Sequence, residues 1–231
     1  MFPVWCDDRG IVRAAVFCWE FTVETITDLK SQRRDNGRVN VFLDGDYAFS
    51  LAYKHANLLT VGQGLSLSEM DNLLEADQVD KAYEKAIRFI EYRPRSVLEV
   101  HDRLVRYGVE IKVIEKVTIR LQVENVLDDT KFAMLWVENR RAFRPRGKLL
   151  LHKELVEKGI DDSDIENALS EVDELPDALQ LVYSKLSKYD GLSSDSFRNK
   201  IWSLLTRRGF DYSVINDVIS EIIQVKRDAE D

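Results

Sequence analysis

Two different spacings of hydrophobic and polar residues divide the chain. Between residues 24 and 77 the apolar positions alternate over short stretches, as they do in half-buried β-strands. In "RVNVFLDGDYAFSL", Val39, Val41 and Leu43 occupy alternate positions and lead into Asp44-Gly45, a dipeptide typical of a two-residue type I′ hairpin turn. From residue 78 onward the apolar residues recur at helical spacing. The pattern therefore predicts a small β-containing unit followed by a helical region.

The helical region contains an internal repeat. Three stretches align without gaps on Gly108, Gly159 and Gly209, which are 51 and 50 residues apart. Apolar residues stand eight and four positions before each glycine, and one, six, nine and thirteen positions after it, as on the inner faces of two successive helices. Each glycine is predicted to end the first helix with a positive φ. An acid two positions later is predicted to cap the second helix: Glu110, Asp161 or Asp211.

Each repeat also has helical spacing upstream, at about 79–91, 128–141 and 175–189. We therefore expect a mainly α fold: three tandem three-helix repeats in an elongated array, preceded by a small N-terminal unit that contains a β-hairpin. Within that unit, "LAYKHANLL" is expected to be helical, and a further helix should begin at Ser66 or Ser68 and end near Asp77. The expected divisions are residues 1–23, an N-terminal extension; 24–77, the β-containing unit; 78–127, 128–173 and 174–231, the three repeats with a C-terminal tail.

Composition narrows the class of protein. The formal net charge of -8 opposes nonspecific nucleic-acid binding by the whole surface, although residues 78–127 carry a local excess of two positive charges. The N-terminal extension is interrupted by charged residues and is a poor signal peptide, and no stretch is long enough to span a bilayer. Cys6 and Cys18 alone do not make a disulfide scaffold. We expect a soluble, reduced, cytoplasmic protein without membrane contact.

Two basic segments recur at the same place in the repeat. Arg93-Pro94-Arg95 and Arg144-Pro145-Arg146 have their prolines fourteen positions before the glycine, where proline stops one helix and sets the entry to the next. After the first, Ser96 and Glu99 form a capping-box pattern. Such joints either contact an acidic partner or phosphate, or are solvated and pair with local acids. The candidate partner-binding residues are Arg93, Arg95, Arg103, Arg140, Arg141, Arg144, Arg146, Lys148 and Lys153.

Other candidate chemistry has a structural explanation. Asp128 and Asp129 are adjacent, so on a helix they diverge by about 100° and favour capping over a paired-carboxylate site. Trp136 and Trp202 stand at apolar helical positions and are expected to pack in the core. No set of His, Cys, Asp and Glu has metal-ligand spacing, and no glycine-rich phosphate loop is present. We expect no enzyme activity, cofactor or metal.

Three motifs resemble the RecX family of regulatory proteins: "RPRSVLEVHDRLVRYG", "VLDDTKFAMLWVENR" and "KLLLHKELVEKGI". The middle motif is the most specific, with an acidic pair followed by Phe132-Ala133 and an aromatic residue, Trp136. The hairpin resembles the N-terminal segment of longer members, so the resemblance covers roughly residues 24–225. One departure is Asn125, which stands where a glycine is common before the acidic pair.

The resemblance implies tandem three-helix repeats that bind along the groove of the RecA filament on DNA. It further implies modulation, mainly inhibition, of RecA ATP hydrolysis, strand exchange and co-protease activity, and so regulation of recombination, DNA repair and the SOS response. The implied partners are RecA and the RecA–single-stranded-DNA filament, with weak direct DNA contact as a further expectation and a monomeric state. The alternatives are a direct DNA-binding helical-repeat protein and a general protein-interaction adaptor.

Overall fold

The computed structural model describes residues 23–32, 37–189 and 191–228, so the expected extension at 1–23 lies outside the described residues, except for Val23. The chain divides into two compact units, residues 1–81 (the β unit) and 82–231 (the helical unit). The strands are β1 Val23–Ser31, β2 Arg38–Leu43, β3 Asp46–Ala52 and β4 Gly64–Ser66. The helices are α1 Tyr53–Ala56, α2 Leu67–Ile90, α3 Val97–Arg106, α4 Ile111–Val123, α5 Asp129–Phe143, α6 Lys148–Glu157, α7 Asp162–Ser170, α8 Glu174–Tyr183, α9 Ser194–Arg207 and α10 Tyr212–Asp228.

In the described residues, the β unit is an antiparallel sheet with the strand order β3-β2-β1-β4. Asp44 and Gly45 have φ values of 47° and 99°, as both central residues of a type I′ turn require, so the predicted hairpin is confirmed. One face of the sheet packs into a core that includes Ile26, Val41 and Leu51. Because alternate residues of the strands face this core, the sequence shows apolar residues at every second position.

Helix α2 differs from the prediction. Ser66 caps it as expected: its Oγ accepts the Glu69 backbone N–H at 3.3 Å, and Glu69 accepts the Ser66 N–H at 2.8 Å. The helix does not end near Asp77, however, but continues to Ile90, because no glycine or proline interrupts it. Asp77 is only 2% exposed and accepts hydrogen bonds from Arg38 and the Ala52 N–H. The predicted helix over "LAYKHANLL" is also wrong in extent, since its first two residues belong to β3 and only α1 is helical.

The tandem three-helix repeats are confirmed. In the described residues, the first repeat is α2 from residue 82 with α3 and α4, the second is α5–α7, and the third is α8–α10. Gly108, Gly159 and Gly209 have φ values of 72°, 75° and 77° and end α3, α6 and α9 as predicted. The residues eight and four before each glycine, and six after it, are buried: Val100, Leu104, Ile114, Leu151, Leu155, Ile165, Ile201, Leu205 and Ile215.

The predicted acidic caps are only partly right. Asp211 accepts the Ser213 N–H at 2.9 Å, but Glu110 and Asp161 stand at the N-cap positions of α4 and α7 without a side-chain cap hydrogen bond. Asp128 does cap α5, accepting the Lys131 N–H at 2.9 Å. Just upstream, Asn125 has a φ of 56°, a left-handed conformation that asparagine tolerates better than most residues. A glycine would also suit this position, which accounts for the departure noted above.

The same type of hydrogen bond joins the first repeat to the second and the second to the third. The backbone N–H of the first residue of α3, Val97, donates to Asp129 Oδ1 at 2.9 Å, and Asp129 is the first residue of α5. Likewise the N–H of Lys148, the first residue of α6, donates to Glu174 Oε1 at 2.7 Å, and Glu174 is the first residue of α8. The leading carboxylate of each following repeat thus satisfies an orphan N–H in the repeat before it. Burial raises the pKa of both carboxyls despite these bonds.

Glycines allow the repeats to approach closely. The Gly147 N–H donates to the Arg208 carbonyl at 2.9 Å, and a Cβ on Gly147 would collide with the Gly209 carbonyl. A Cβ on Gly159 would lie 2.8 Å from the Leu98 side chain. The N-terminal end of each second helix therefore packs on the glycine turn of the next repeat, and this contact fixes the position of the joints.

Candidate binding surface at the repeat joints

The first joint, residues 91–96 between α2 and α3, is held by contacts within the molecule. Arg93 donates to both carboxylate oxygens of Glu99, at 2.8 and 3.0 Å. The Arg95 guanidinium lies 3.8 Å from the centre of the Phe89 ring, and its Nε donates to the Phe89 carbonyl. The predicted capping box is present, with Ser96 and Glu99 each accepting the other's backbone N–H. The side chains of the first joint are thus held in position by contacts within the molecule.

Glu99 also ties the first repeat to the second. Lys158, at the end of α6, donates to Glu99 Oε1 at 2.6 Å. Burial alone would raise the pKa of Glu99, but the hydrogen bonds from Arg93 and Lys158 outweigh burial and lower the pKa to about 2. Glu99 is therefore ionised at neutral pH and binds two cations that are far apart in the sequence.

The second joint, residues 144–147 between α5 and α6, is organised by Glu154, which is only 8% exposed. Its carboxylate accepts from Trp136 Nε1 at 2.9 Å and Arg140 Nε at 3.0 Å, and it pairs with Arg146. The Arg140 guanidinium also lies 4.1 Å from the centre of the Trp136 ring. Trp136 stacks on Phe132, in agreement with the core-packing prediction.

The other candidate cations have different surroundings. Arg141 pairs with Asp177 at 2.6 Å, and Arg103 lies over the Phe89 and Tyr107 rings. Lys148 begins α6 and is half-buried next to Glu174. Within the described residues, Arg144 and Lys153 are exposed and form no ion pair. Several of the predicted contact residues therefore already have internal partners, whereas these last two are available to a ligand.

The joints share one charged surface, the basic face, defined by Arg93, Arg140, Arg144, Arg146, Lys158 and Arg208 with the carboxylates of Glu99 and Glu154. Burial lowers the pKa of Arg140, and the nearby charge of Arg93 lowers it further. Burial likewise lowers the pKa of Arg146, with contributions from Arg140, Arg208 and Arg144. Among the described residues named here, six cations face two carboxylates, which leaves an excess of four positive charges. A protein with a net charge of -8 thus has a strongly basic region where its repeats meet.

One cleft between repeats lies at the first joint, and a second lies between α5, α7 and α8. The cleft at the first joint, of about 320 Å³, has an apolar floor that includes Ile90 and Phe132. Its charged lining consists of three cations and two carboxylates: Arg93, Arg95, Lys131, Glu91 and Asp128. The cleft beside α5, of about 690 Å³, has Arg141 and Asp177 where the first has Ile90 and Phe132. The first cleft therefore has an apolar floor and a rim with one more cation than carboxylates, and the second is polar.

Two exposed aromatic residues belong to this surface and were missed from the sequence. Tyr92 is 87% exposed and Phe143 is 77% exposed. Each precedes the Arg-Pro-Arg of its joint and stands sixteen positions before the repeat glycine. The shared position was a signal available in the alignment, which had directed attention to Trp136 and Trp202 instead. Below, Tyr92 and Phe143 are called the joint aromatics.

The described residues show no cluster of three or more His, Cys, Asp and Glu side chains that could hold a metal ion. None of the helices described is both long and apolar enough to cross a membrane.

The fold and this surface define a class of protein: a tandem three-helix-repeat protein with an N-terminal β unit and a basic face at its joints. Family models assign its parts. The Regulatory protein RecX N-terminal domain matches residues 24–63, the first three-helix domain of RecX matches 82–121, and the second matches 128–169.

Whole-chain similarity agrees. Regulatory protein RecX of Bacillus licheniformis is 34% identical over 201 residues, covering 85% of this chain and 76% of the relative. Regulatory protein RecX of Clostridium botulinum (strain Alaska E43) is 32% identical, with 85% and 95% coverage. A crystal structure of regulatory protein RecX superposes with a TM-score of 0.70 at 25% identity over 84% of this chain and 98% of the other. RecX from Lactobacillus salivarius gives a TM-score of 0.59 at 26% identity, covering 64% and 99%. The chain belongs to the RecX family of regulatory proteins.

Proposed function

We propose that this protein binds RecA filaments on single-stranded DNA and restrains RecA ATP hydrolysis, strand exchange and co-protease activity, as a non-enzymatic regulator of recombination and repair. Family membership supports the proposal, because the activity implied by the sequence resemblance is modulation of RecA. The observation in this molecule that supports it best is the basic face. A nucleoprotein filament presents phosphates and acidic side chains, and a localised positive surface on an acidic protein favours a specific orientation over nonspecific adhesion.

The test is a titration of RecA ATP hydrolysis on single-stranded DNA with this protein. We expect the rate to fall as the protein binds, while binding is followed independently by anisotropy of a labelled oligonucleotide within the filament. An unchanged rate at protein concentrations that saturate the filament would contradict the proposal.

Charge variants can separate contact from folding. Replacing all the arginines of both joints is unsuitable, because Arg93 and Arg146 hold Glu99 and Glu154. Arg144→Gln combined with Lys153→Gln removes exposed cations without breaking an ion pair seen in the described residues. We expect this double variant to need more protein for half-maximal inhibition and to unfold at the same urea concentration. Arg88→Gln is the matched control, since Arg88 is exposed and lies on α2 outside the basic face.

A further inference from the structure

The joint aromatics are exposed in a way that packing does not explain. Large aromatic side chains normally bury most of their surface, because burial of their apolar area stabilises the fold. Tyr92 and Phe143 instead have no ring contact, cation contact or hydrogen bond through their side chains within the described residues, although both occupy the same repeat position. Two equivalent rings left open to solvent indicate a ligand that the rings contact.

The surroundings of Tyr92 are rigid and suited to a flat, negatively charged ligand. The ring follows the last turn of α2 and precedes Pro94, whose φ is fixed, and the capping box at Ser96 fixes the start of α3. Both sequence neighbours of Tyr92, Glu91 and Arg93, line the cleft of about 320 Å³ described above. An apolar floor beside Arg93 and Arg95 can take the face of a planar base and the phosphate attached to it, although Glu91 and Asp128 also line the rim.

Charge favours nucleic acid over a protein segment as the ligand. Two of the carboxylates at the first joint are occupied internally, since Glu99 holds Arg93 and Lys158, and Asp128 caps α5 and pairs with Lys131. A third, Glu91, is exposed and lines the cleft. At the second joint, Arg144 is exposed without an ion pair in the described part of the chain. Arg95 and Lys131 offset Glu91 and Asp128, so the excess of four positive charges on the basic face remains. Phosphates neutralise such a surface, and unpaired bases stack on aromatic rings whatever their sequence.

We propose that Tyr92 and Phe143 are base-stacking residues of a binding site for single-stranded nucleic acid, in which the arginines of the joints and of the basic face neutralise the phosphates. The site goes beyond the regulatory role proposed above, because it needs no RecA. A duplex is a poor ligand, since its bases are already stacked and paired and offer no free face to the rings.

The experiment measures anisotropy of a labelled oligo-dT of about 20 nucleotides, long enough for one or two site sizes, with a duplex of equal length as the second probe. Tyr92→Ala and Phe143→Ala are each expected to weaken oligo-dT binding by about 5- to 150-fold, which corresponds to ~1–3 kcal/mol per stacked base at ~1.4 kcal/mol per tenfold. Tyr92→Phe and Phe143→Tyr should retain binding, whereas the leucine variants should lose it, because stacking requires a ring. Tyr53→Ala is the control, since Tyr53 is also exposed but lies in the β unit.

Two further readouts report the contact directly. Phe143→Trp should show fluorescence quenching by oligo-dT greater than the unmodified protein shows, because a stacked base quenches indole. Arg144→Gln should reduce the dependence of log K on log salt concentration by about 0.7, the value for one phosphate contact on a single strand. Circular dichroism and urea unfolding check that each variant is folded, which the exposure of both rings predicts.

Several outcomes overturn this proposal. The first three are no binding of oligo-dT by the unmodified protein, binding of oligo-dT by the alanine variants as tight as by the unmodified protein, and binding of duplex as tight as or tighter than that of oligo-dT. The fourth is that the alanine variants lose binding to the RecA filament while their binding of oligo-dT is unchanged, which would show that the rings contact protein. The two proposals fail separately. Ring-dependent oligo-dT binding with no effect on RecA leaves only the nucleic-acid site, and inhibition of RecA without ring-dependent oligo-dT binding leaves only the regulatory function.

Discussion

Glu99 links the first two repeats through its charge, and replacing it by glutamine isolates that charge. Glutamine can still reach back to the Ser96 N–H, so Glu99→Gln keeps the capping box while removing the ionic attraction to Arg93 and Lys158. The side chain of Glu99 is 16% exposed, so solvent screens these pairs less than it would on an open surface. A change in pKa from 4.5 to about 2 corresponds to about 3 kcal/mol of stabilisation. We expect the variant to lose about 2–3 kcal/mol of unfolding free energy at pH 7.

The pH dependence gives the sharper test. A carboxyl whose pKa is lowered by folding stabilises the native state above its unfolded pKa, and that stabilisation is lost as the pH falls toward the folded pKa. The difference between the unmodified protein and Glu99→Gln should therefore be constant above about pH 5.5, shrink below pH 4.5 and vanish near pH 2. Urea unfolding followed by circular dichroism at pH 7, 5, 4 and 3.5 measures it.

The control for this prediction is Glu84→Gln. Glu84 pairs with Arg88 on α2, but both side chains are about 70% exposed, so the change should alter stability by less than about 0.5 kcal/mol at every pH. A difference for Glu99→Gln that stays the same from pH 7 to pH 3.5 would refute the assigned role of its charge.

Three further predictions concern the contacts between and within the repeats, each measured by urea unfolding. Gly108→Ala should cost about 1–2 kcal/mol, because only the positive φ opposes a Cβ there. Gly159→Ala should cost more, because its Cβ would also meet the Leu98 side chain, and Gly147→Ala should cost most, because its Cβ would meet backbone atoms. An equal cost at all three positions would contradict the packing argument. Asp129→Asn keeps an acceptor for the Val97 N–H and removes a charge that burial disfavours, so the free energy of unfolding at pH 7 should be unchanged or up to about 1 kcal/mol higher. An acid whose pKa is raised by folding destabilises the native state once the pH exceeds its unfolded pKa, so removing its charge does not destabilise at pH 7. Glu154→Ala should cost about 3–5 kcal/mol, because it removes a buried carboxylate and leaves the half-buried cations Arg140 and Arg146 without it. A cost below about 1 kcal/mol would show that solvent replaces the carboxylate.

The repeat could be predicted because its signals are local. Gly108, Gly159 and Gly209 must adopt positive φ to end their helices, and the apolar positions around them must face a core, so both constraints are written at fixed spacing. The end of α2 was misplaced for the opposite reason. Asp77 resembles a helix-terminal polar residue, but its role depends on Arg38 and Ala52, which come from strands far away in the sequence.

The partners of the basic residues could not be predicted from nearby sequence either. Glu99 and Lys158 are 59 residues apart, and Arg141 and Asp177 are 36 apart, so the sequence shows a run of charge without showing which charges are neutralised. The repeat position identified the arginines of both joints together and left a structural and a binding role open, and the fold separates those with internal partners from exposed Arg144. Exposure of Tyr92 and Phe143 could have been suspected, since a shared position occupied by aromatics without helical apolar spacing is not a core position.

The hydrogen bond that joins successive repeats also bears on association between separate molecules. A head-to-tail contact that recurs along a chain is heterologous, and between separate molecules the same contact would propagate into open filaments. In the second helix of the third repeat, α9, the Ser193 hydroxyl accepts the N–H of Ser196, the third residue of the helix, at 3.4 Å. The first repeat has the same serine cap at Ser96 and still takes a carboxylate from its successor, so the serine does not replace the contact between repeats. The first N–H of α9, that of Ser194, is therefore where a further repeat or a second molecule would attach.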